Sequence, residues 1–501
     1  MEACLRTVSY PCYRPVFSQT FSLSEGQECV VPDTLPDIAS ILYSSATPLI
    51  RSKDLSESRV RLEANVPARI TCLGEDGTLF CMDVSIPFYL SSQEEGLNED
   101  CACVVGLTLQ HLDVRALNPR KLSVRAELQV RVECYCLDAV KAAQTPEEQE
   151  AALHTLEQSA EISLISAVTE KTFVLTDEYT LSDQMPDALE ILAQDISLHT
   201  QEIKTVGSKL IASGRVDSML LCRYEDGDVF SVAFQTDFSQ IIETDCETEE
   251  STVELKLLPS GMYYEVIPGT EMRELAMELH LVAQVIVSKK QCISYLADAY
   301  SNAYPLQLHR ELRCYSLPVR DFTLRENGRT LLETPEAVSR VISCRVAPLS
   351  ADMDNGSVIV RFRVTLLYRS ADRLCAAERI CMQTFSSEET SASIRICGFT
   401  ISEMNALPAD NGVELRYAAE LCAQSAEQLE LNCISAVEWD EAQGIDTDDL
   451  PTLVLLRCSS SDSLWSIAKD HCSTVEEIRS ANALEEAGES WEKLLIIPKA
   501  L

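Results

Sequence analysis

The chain has 501 residues, of which 46% are hydrophobic and 24% charged, and its formal net charge is −38. This length exceeds what one hydrophobic core supports, so it predicts three or four domains, and the composition excludes disorder of the whole chain. A surface this acidic repels phosphate backbones and anionic lipids, which argues against nucleic acid as a partner.

The sequence predicts a cytosolic protein. Residues Met1–Arg6 lack the basic and apolar regions of a secretory signal, and no run of 18 apolar residues predicts a membrane span. The 21 cysteines are odd in number and irregularly spaced. This pattern favours reduced thiols over a disulfide framework.

One part of the chain repeats at a constant offset of 150 residues. The stretches that begin at Leu35 and Met185 share 12 identical residues over 56 aligned positions without a gap. A third, more divergent copy aligns only with gaps, around Thr334-Pro335-Glu336. Such self-similarity is typical of repeated structural units. Short motifs mark the copies: Pro36-Asp37 and Pro186-Asp187; Glu75-Asp76-Gly77 and Glu225-Asp226-Gly227; the opening tripeptides Phe21-Ser22-Leu23, Tyr179-Thr180-Leu181 and Phe322-Thr323-Leu324; and the closing tripeptides Ala126-Glu127-Leu128, Met277-Glu278-Leu279 and Ala419-Glu420-Leu421.

Each copy is predicted to be mainly β with one short helix. Proline followed by an acid suits the first turn of a helix, which predicts helices near 36–44 and 186–194. Alternating apolar runs predict half-buried strands, and the Asp-Gly pairs predict tight hairpin turns. The predicted fold class is therefore α+β, with three repeated antiparallel β-rich modules and a βααβ domain at the C-terminus.

The predicted joints between modules differ in kind. Thr145-Pro146-Glu147-Glu148 has the pattern of a capping box and predicts a helix to about Gln158, and a second helix is expected from Cys292 to Asn302. Residues 438–450 contain six acids and no Lys or Arg, which indicates an exposed linker. The predicted divisions are repeats at 1–137, 166–303 and 304–437, a helical connector at 138–165, an acidic linker at 438–452 and a C-terminal domain at 453–501.

The C-terminal segment has a strand–helix–helix–strand pattern. Ser461 or Asp462 is the predicted N-cap of the first helix, and Ser473-Thr474-Val475-Glu476 is a capping-box pattern that opens the second. The closing strand is predicted at Leu494-Leu495-Ile496-Ile497-Pro498. Trp465 is expected in the core of this domain rather than on its surface as a platform for a sugar.

This segment resembles a LysM domain. Asp462-Ser463-Leu464-Trp465-Ser466-Ile467-Ala468 matches the family core Asp-Thr-Leu-Trp-x-Ile-Ala, and Asn482-x-Leu484 matches its downstream signature. The resemblance implies recognition of glycans that contain N-acetylglucosamine, through loops at Ser461, Asp462, Ser463, Leu464, Ala483 and Leu484, with Trp491 as an exposed aromatic candidate. Ser461 and Ser490-Trp491-Glu492 replace glycines of the family, so a protein partner is the alternative occupant.

The whole arrangement resembles the spore-coat morphogenetic proteins that combine SPOCS domains with one LysM domain. This resemblance implies a non-catalytic scaffold at the forespore surface, on the mother-cell side, that tethers the ATPase of the coat basement. Two other classes stay open: a glycan-binding protein of the cell wall and, further from the pattern, a wall hydrolase.

No enzyme motif points to catalysis, and neither a cofactor nor a metal is predicted. The six histidines form no HExxH pair, and no Gly-rich phosphate loop or Gly-x-Ser-x-Gly elbow occurs. Glu75-Asp76 and Glu225-Asp226 have the composition of an acid–base pair, but solvated turn residues explain them more simply. The Cys-x-Cys pairs, Cys101/Cys103 and Cys134/Cys136, are interpreted as structural thiols rather than a zinc site.

Overall fold

Strands dominate the computed structural model of the protein. It describes residues 2–56, 58–146, 153–181, 188–224, 228–267, 274–354, 356–371, 373–386, 393–446, 451–459, 462–484 and 494–499. Before residue 447 the described residues form nineteen strands and no helix. The predicted α+β class is therefore wrong for the repeats, which are all-β.

Three consecutive units have the same strand order. Unit 1 contains β1 (Arg6–Val30), β2 (Ile38–Ala46), β3 (Leu49–Ser56), β4 (Arg59–Gly74), β5 (Leu79–Gln93), β6 (Ala102–Asn118) and β7 (Lys121–Gln144). Unit 2 contains β8 (Leu153–Thr180), β9 (Ala188–Val206), β10 (Lys209–Tyr224), β11 (Val229–Glu243), β12 (Ser251–Val266) and β13 (Glu274–Ser301). Unit 3 contains β14 (Leu306–Glu333), β15 (Arg340–Asp354), β16 (Ser357–Ser370), β17 (Arg373–Ser386), β18 (Ser393–Ala409) and β19 (Gly412–Trp439).

Each unit is a sandwich of two antiparallel sheets. The first and last two strands of a unit lie side by side, in the orders β1-β7-β6, β8-β13-β12 and β14-β19-β18; pairing of β1 with β8 at Tyr13 and Ile165 joins the first two sets into one six-stranded sheet. The middle strands form the other sheet of each unit, in the orders β9-β10-β11 and β15-β16-β17; in unit 1, β4 pairs with β2, β3 and β5. Alternate residues of both sheets meet in a core, as Val60 and Val124 do in unit 1.

The sequence offset of 150 residues is preserved in the strands. The range of β4 plus 150 is the range of β10, and the same holds for β5 and β11. Between β4 and β5, Gly77 has a φ of +83° in a tight turn, as the Asp-Gly pattern predicted. The second such turn, at 225–227, lies outside the described residues.

Ladder register corrects the alignment of the opening tripeptides. Leu23 lies opposite Leu128 in unit 1, and Leu324 lies opposite Leu421 in unit 3. In unit 2, however, Leu279 lies opposite Leu175, so the equivalent tripeptide is Phe173-Val174-Leu175 rather than Tyr179-Thr180-Leu181.

The segments predicted as short helices are bulged strands. Residues 38–44 belong to β2 and residues 188–194 to β9; residues 186 and 187 lie outside the described residues. Each ladder skips one residue at the same place: Leu42 in unit 1, Leu192 in unit 2 and Ile342 in unit 3. An extra residue shifts the buried side of a strand, so Ile38, Ile41 and Leu42 imitate helical spacing.

The bulges of units 2 and 3 lie in the region where all three units meet, which we call the axis. The skipped residues are buried, and Leu192 and Ile342 pack with Tyr43 and Leu367 in one cluster drawn from all three units. The carbonyl oxygen of Leu192 accepts a hydrogen bond from Thr71 Oγ1 of unit 1 at 3.1 Å. One unit further on, the carbonyl oxygen of Ile342 accepts from Ser231 Oγ at 2.6 Å. Cys81 lies 150 residues before Ser231 and its Sγ also donates to the carbonyl oxygen of Leu192, at 3.3 Å, so equivalent positions donate to the bulge carbonyl at two successive junctions.

Three equivalent positions meet near the axis with different chemistry. In their ladders, Ser45 lies opposite Arg69, Asp195 opposite Met219 and Arg345 opposite Thr365. The three residues therefore occupy equivalent places in units 1, 2 and 3.

Arg345 Nε lies 2.8 Å from Asp195 Oδ1, and both side chains are largely buried. The Tyr43 hydroxyl is buried beside them and interacts electrostatically with both. One buried ion pair therefore connects units 2 and 3, with a tyrosine of unit 1 against it.

The first and last strands of each unit extend beyond the sandwiches and pack together. Their apolar side chains form a cluster drawn from all three units: Ala142, Ile162, Ile293, Tyr295, Leu431 and Cys433. We call this bundle of strands the stalk.

The stalk includes both segments that were predicted as helical connectors. Residues 153–165 belong to β8 and residues 292–301 to β13, where long-range pairing overrides the local capping pattern. Residues 147–152, which include Glu147 and Glu148 of the predicted capping box, lie outside the described residues.

We expect loss of a bulge contact to weaken the junction between units. Ser231→Ala leaves the buried carbonyl of Ile342 without its hydrogen-bond donor. After Thr71→Val, the carbonyl of Leu192 still accepts a hydrogen bond from Cys81 Sγ at 3.3 Å. Ser231→Ala should lower the free energy of unfolding by about 1–3 kcal/mol, and Thr71→Val by less. Chemical denaturation measures both, with exposed Gln235→Ala on the same strand as the control. An equal, near-zero effect of all three would contradict the role of the bulge.

A second prediction concerns the ion pair near the axis. Arg345→Met leaves a buried carboxylate unpaired, so it should cost about 3–5 kcal/mol of unfolding free energy at pH 8. The pKa of Asp195 is raised from 3.8 to about 6, because the effect of burial outweighs that of Arg345, which lowers it. Without Arg345 the pKa of Asp195 therefore rises further in the variant. A raised carboxyl pKa makes stability fall as the pH rises through this range, so the cost should shrink towards pH 4.

Adding Asp195→Asn to the same variant should restore most of the stability, because it removes the unpaired charge. Denaturation curves at pH 4, 6 and 8 test this. A pH-independent loss in the single variant would show that Asp195 is not the cause.

Candidate functional site

The C-terminal domain consists of two strands and two helices around a small core. Its elements are β20 (Leu453–Arg457), α1 (Leu464–Asp470), α2 (Val475–Asn482) and β21 (Leu494–Pro498). Buried Ile467, Ala468 and Ile478 pack from the helices against Leu495 and Ile497 of the ladder. Helices of membrane-crossing length and hydrophobicity are absent from the described residues.

The helix starts lie one or two residues later than predicted. Ser463, rather than Ser461 or Asp462, is the N-cap of α1, and it exchanges hydrogen bonds with Ser466 in a capping box. Thr474, rather than Ser473, is the N-cap of α2 and accepts from the Glu477 N–H at 3.1 Å. Ser463 is followed by Ser466 three residues later, a capping box with a residue type that the Glu/Gln pattern does not include.

Both candidate loops flank one end of the two-stranded ladder. Arg457 ends β20 opposite Leu494, which begins β21. The first loop continues from Arg457 to α1, and the second connects α2 to Leu494. The start of the first loop and the end of the second are therefore side by side at one end of the ladder.

The candidate residues have different roles within these loops. Asp462 Oδ2 accepts from the backbone N–H of Ser459 at 2.8 Å, which folds the first loop back on itself. Ser463 and Ala483 are exposed, and Ala483 has a φ of +50° at the end of α2. The side chains of Leu464 and Leu484 pack on the core of the domain. Ser461 and Trp491 lie outside the described residues.

Trp465 contacts the stalk. Its indole Nε1 donates to Asp298 Oδ2 at 2.8 Å, and its ring meets Tyr300 edge-on with centroids 4.8 Å apart. The expectation that it is a packed residue rather than a sugar platform fits this geometry, but the packing partner is β13 as well as the domain itself.

Asp298 is the centre of a charged contact between the domain and the stalk. Lys469 Nζ lies 2.7 Å from its Oδ2, and Arg310 Nη2 lies 2.7 Å from its Oδ1. Burial tends to raise the pKa of Asp298, but the hydrogen bonds from Lys469 and Trp465 outweigh it and hold the pKa below its ordinary value. The carboxylate is thus fixed in its charged form.

A second contact lies one turn further along. Tyr300 OH donates to the carbonyl oxygen of Ser473 at 2.9 Å, and its ring stacks on His154 with centroids 4.8 Å apart. Burial lowers the pKa of His154, which favours the neutral ring. Trp465, Lys469 and Ser473 are spaced four residues apart, so they form one stripe along α1 and the turn after it.

Sequence reasoning missed Asp298, Tyr300 and His154. It placed the first two in a helix, whereas they belong to β13, and no local pattern marks them as an interface. A usable signal exists in retrospect: Asp298 and Tyr300 are two residues apart and therefore lie on one face of a strand.

The other candidate groups have structural contacts. Asp76 Oδ1 accepts from the N–H of Thr78 at 3.0 Å within the β4–β5 turn.

Cys101 and Cys136 form a disulfide, so the expectation of reduced thiols is wrong for this pair; the other nineteen cysteines are free. Cys103 and Cys134 face each other beside it on β6 and β7. Within the described ranges, no group of three or more His, Cys, Asp or Glu side chains is placed to hold a metal ion.

Comparison of the chain with models of protein families, with curated proteins and with solved structures found no match.

We expect Asp298→Ala to release the C-terminal domain from the stalk. The variant removes the partner of Trp465 Nε1 and of Lys469, so Trp465 fluorescence should shift to longer wavelength and proteolysis between 440 and 452 should accelerate. Asp470→Ala, an exposed acid on α1, is the matched control. Since the pKa of Asp298 is depressed, its contribution is present near neutral pH and is lost as the pH falls through that lowered pKa. Unchanged fluorescence and proteolysis would show that other contacts suffice.

Proposed function

We propose that the protein is a non-catalytic, multivalent scaffold for assembly of the spore envelope. In this proposal it tethers a protein of the coat basement at the forespore surface, on the mother-cell side. The LysM-like domain contributes a contact to protein or to peptidoglycan. The observation that carries the proposal is that three sandwiches of one topology are joined by a repeated contact into a single body.

Equivalent outward positions of the three units differ in chemistry. Pro87, Asp237 and Met382 occupy the same place on the third strand of each middle sheet, opposite Asn65, Arg215 and Arg361. All three are exposed. The same exposed position therefore carries an apolar ring in unit 1, a carboxylate in unit 2 and a thioether in unit 3.

All three of these surfaces carry large exposed apolar side chains, and in unit 2 this is Ile241 of β11, which is 51% exposed. Tyr89 of unit 1 is 69% exposed, and Ile380 and Met382 of unit 3 are each 64% exposed. Exposed aromatic and Met side chains are typical anchors of protein–protein contacts. Several modest anchors on one rigid body give avidity without a single tight site.

The LysM-like domain adds a further contact surface. The stripe Trp465, Lys469 and Ser473 holds the stalk, while Ser463 and Ala483 stay exposed on the two loops. The domain can thus bind an external partner without leaving the stalk.

The proposal is tested with the full chain on beads, offered either purified basement ATPase of the coat or purified peptidoglycan. We expect capture of the ATPase. Tyr89→Ser and Met382→Ser should each weaken capture by about fivefold in Kd, because each removes an exposed anchor worth about 1 kcal/mol. Exposed Ser239→Ala is the control.

The opposite result would favour a glycan-binding protein of the cell wall. That class predicts capture of peptidoglycan, loss of capture on Asp462→Ala, which unfolds the first loop, and no effect of Tyr89→Ser. Exposed Glu476→Ala on α2 serves as the control for the loop variant.

A further inference from the structure

We propose that the cavity between the three sandwiches binds a small monocarboxylate with an aliphatic body. The cavity has a volume of about 330 Å³ and is lined by β2 and β6 of unit 1, β9 and β12 of unit 2, and β15 to β18 of unit 3. This volume lies at the lower end of the roughly 300–1,000 Å³ found for small-molecule sites.

The wall of the cavity is largely apolar. Each unit contributes aliphatic or aromatic side chains, among them Leu107 and Leu109 from β6, Leu257 and Leu258 from β12, and Phe399 from β18. Such a wall gains free energy from covering apolar surface, so it favours a ligand with a hydrocarbon body. A sugar or a nucleotide would leave its polar groups unpaired here.

One side of the cavity carries a buried guanidinium. Arg363 is 7% exposed, and its buried Nε makes no hydrogen bond within the described part of the chain. Its nearest carboxylate oxygen is Glu378 Oε1, 3.3 Å from Nε, on a side chain that is 45% exposed. Burial lowers the pKa of Arg363, since the charged form lacks solvent. The ion pair of Arg363 is thus made with a half-exposed carboxylate, which a ligand can replace. A guanidinium next to a cavity is a donor set that fits a carboxylate, with two parallel N–H groups for its two oxygens.

Charge around Arg363 limits the ligand to a single negative charge. Arg345 also lines the cavity but is already paired with Asp195. Glu378 lines it as well. These two carboxylates would repel a phosphate dianion, whereas a monocarboxylate replaces Glu378 at Arg363 and Glu378 turns to solvent.

The experiment measures binding of octanoate to the full chain by isothermal titration calorimetry, with octanol as the uncharged probe of equal length. We expect saturable binding of octanoate, at least tenfold weaker binding of octanol, and a rise in the melting temperature with octanoate. Arg363→Met should weaken octanoate binding tenfold or more. Arg361→Met, an exposed arginine two residues away on β16, should leave it unchanged.

Glu378→Gln provides a test that does not remove a buried side chain. It frees Arg363 from its carboxylate neighbour, so octanoate should bind several-fold more tightly. The proposal is overturned if octanol binds as tightly as octanoate, if octanoate does not bind the wild-type chain at millimolar concentration, or if Glu378→Gln leaves the affinity unchanged or lowers it.

Discussion

The arrangement of the three units depends on one bulged residue in the second strand of each. A bulge leaves its residue outside the ladder, so its carbonyl oxygen has no partner within the sheet. At Leu192 and Ile342 this residue is also buried, and a buried carbonyl without a donor costs free energy. The preceding unit supplies the donor through Thr71 or Ser231. The irregularity that bends the strand is thus also a point at which the strand bonds to its neighbouring unit.

Fusion of the copies into one chain allowed the positions near the axis to diverge. In a ring of three identical chains, a residue at the place of Asp195 would bring three carboxylates together, and like charges at short range in a buried site repel strongly. Here the three places hold Ser45, Asp195 and Arg345, which include one acid and one base and so form a pair. A buried pair adds little net stability compared with apolar residues, but an incorrect order of units would leave a charge unpaired. The pair therefore favours one order of units over the others.

The sequence predicted what depends on short range and missed what depends on pairing between distant strands. The offset of 150 residues and the turn at Asp76-Gly77 were visible, because identity at fixed spacing and a glycine at positive φ are local signals. The short helices were not real, because the bulge at Leu42 imitates helical spacing. The two helices of the C-terminal domain were likewise predicted from local capping and spacing. Asp298 and Tyr300 were not predicted as contacts, because their partners are about 170 positions away.

Different parts of the surface of the C-terminal domain contact the stalk and face away from it, and this sets the orientation of the domain. A domain of about fifty residues has few faces, and α1 uses the stripe of Trp465, Lys469 and Ser473 for the stalk. The ladder register puts the start of the first loop and the end of the second at the Arg457–Leu494 end, and the exposed loop residues Ser463 and Ala483 take no part in that stripe. The contacts with the stalk fix the direction in which the loops face. An orientation fixed in this way reduces the entropy lost when the loops meet a partner, so it raises the affinity that such small loops can reach.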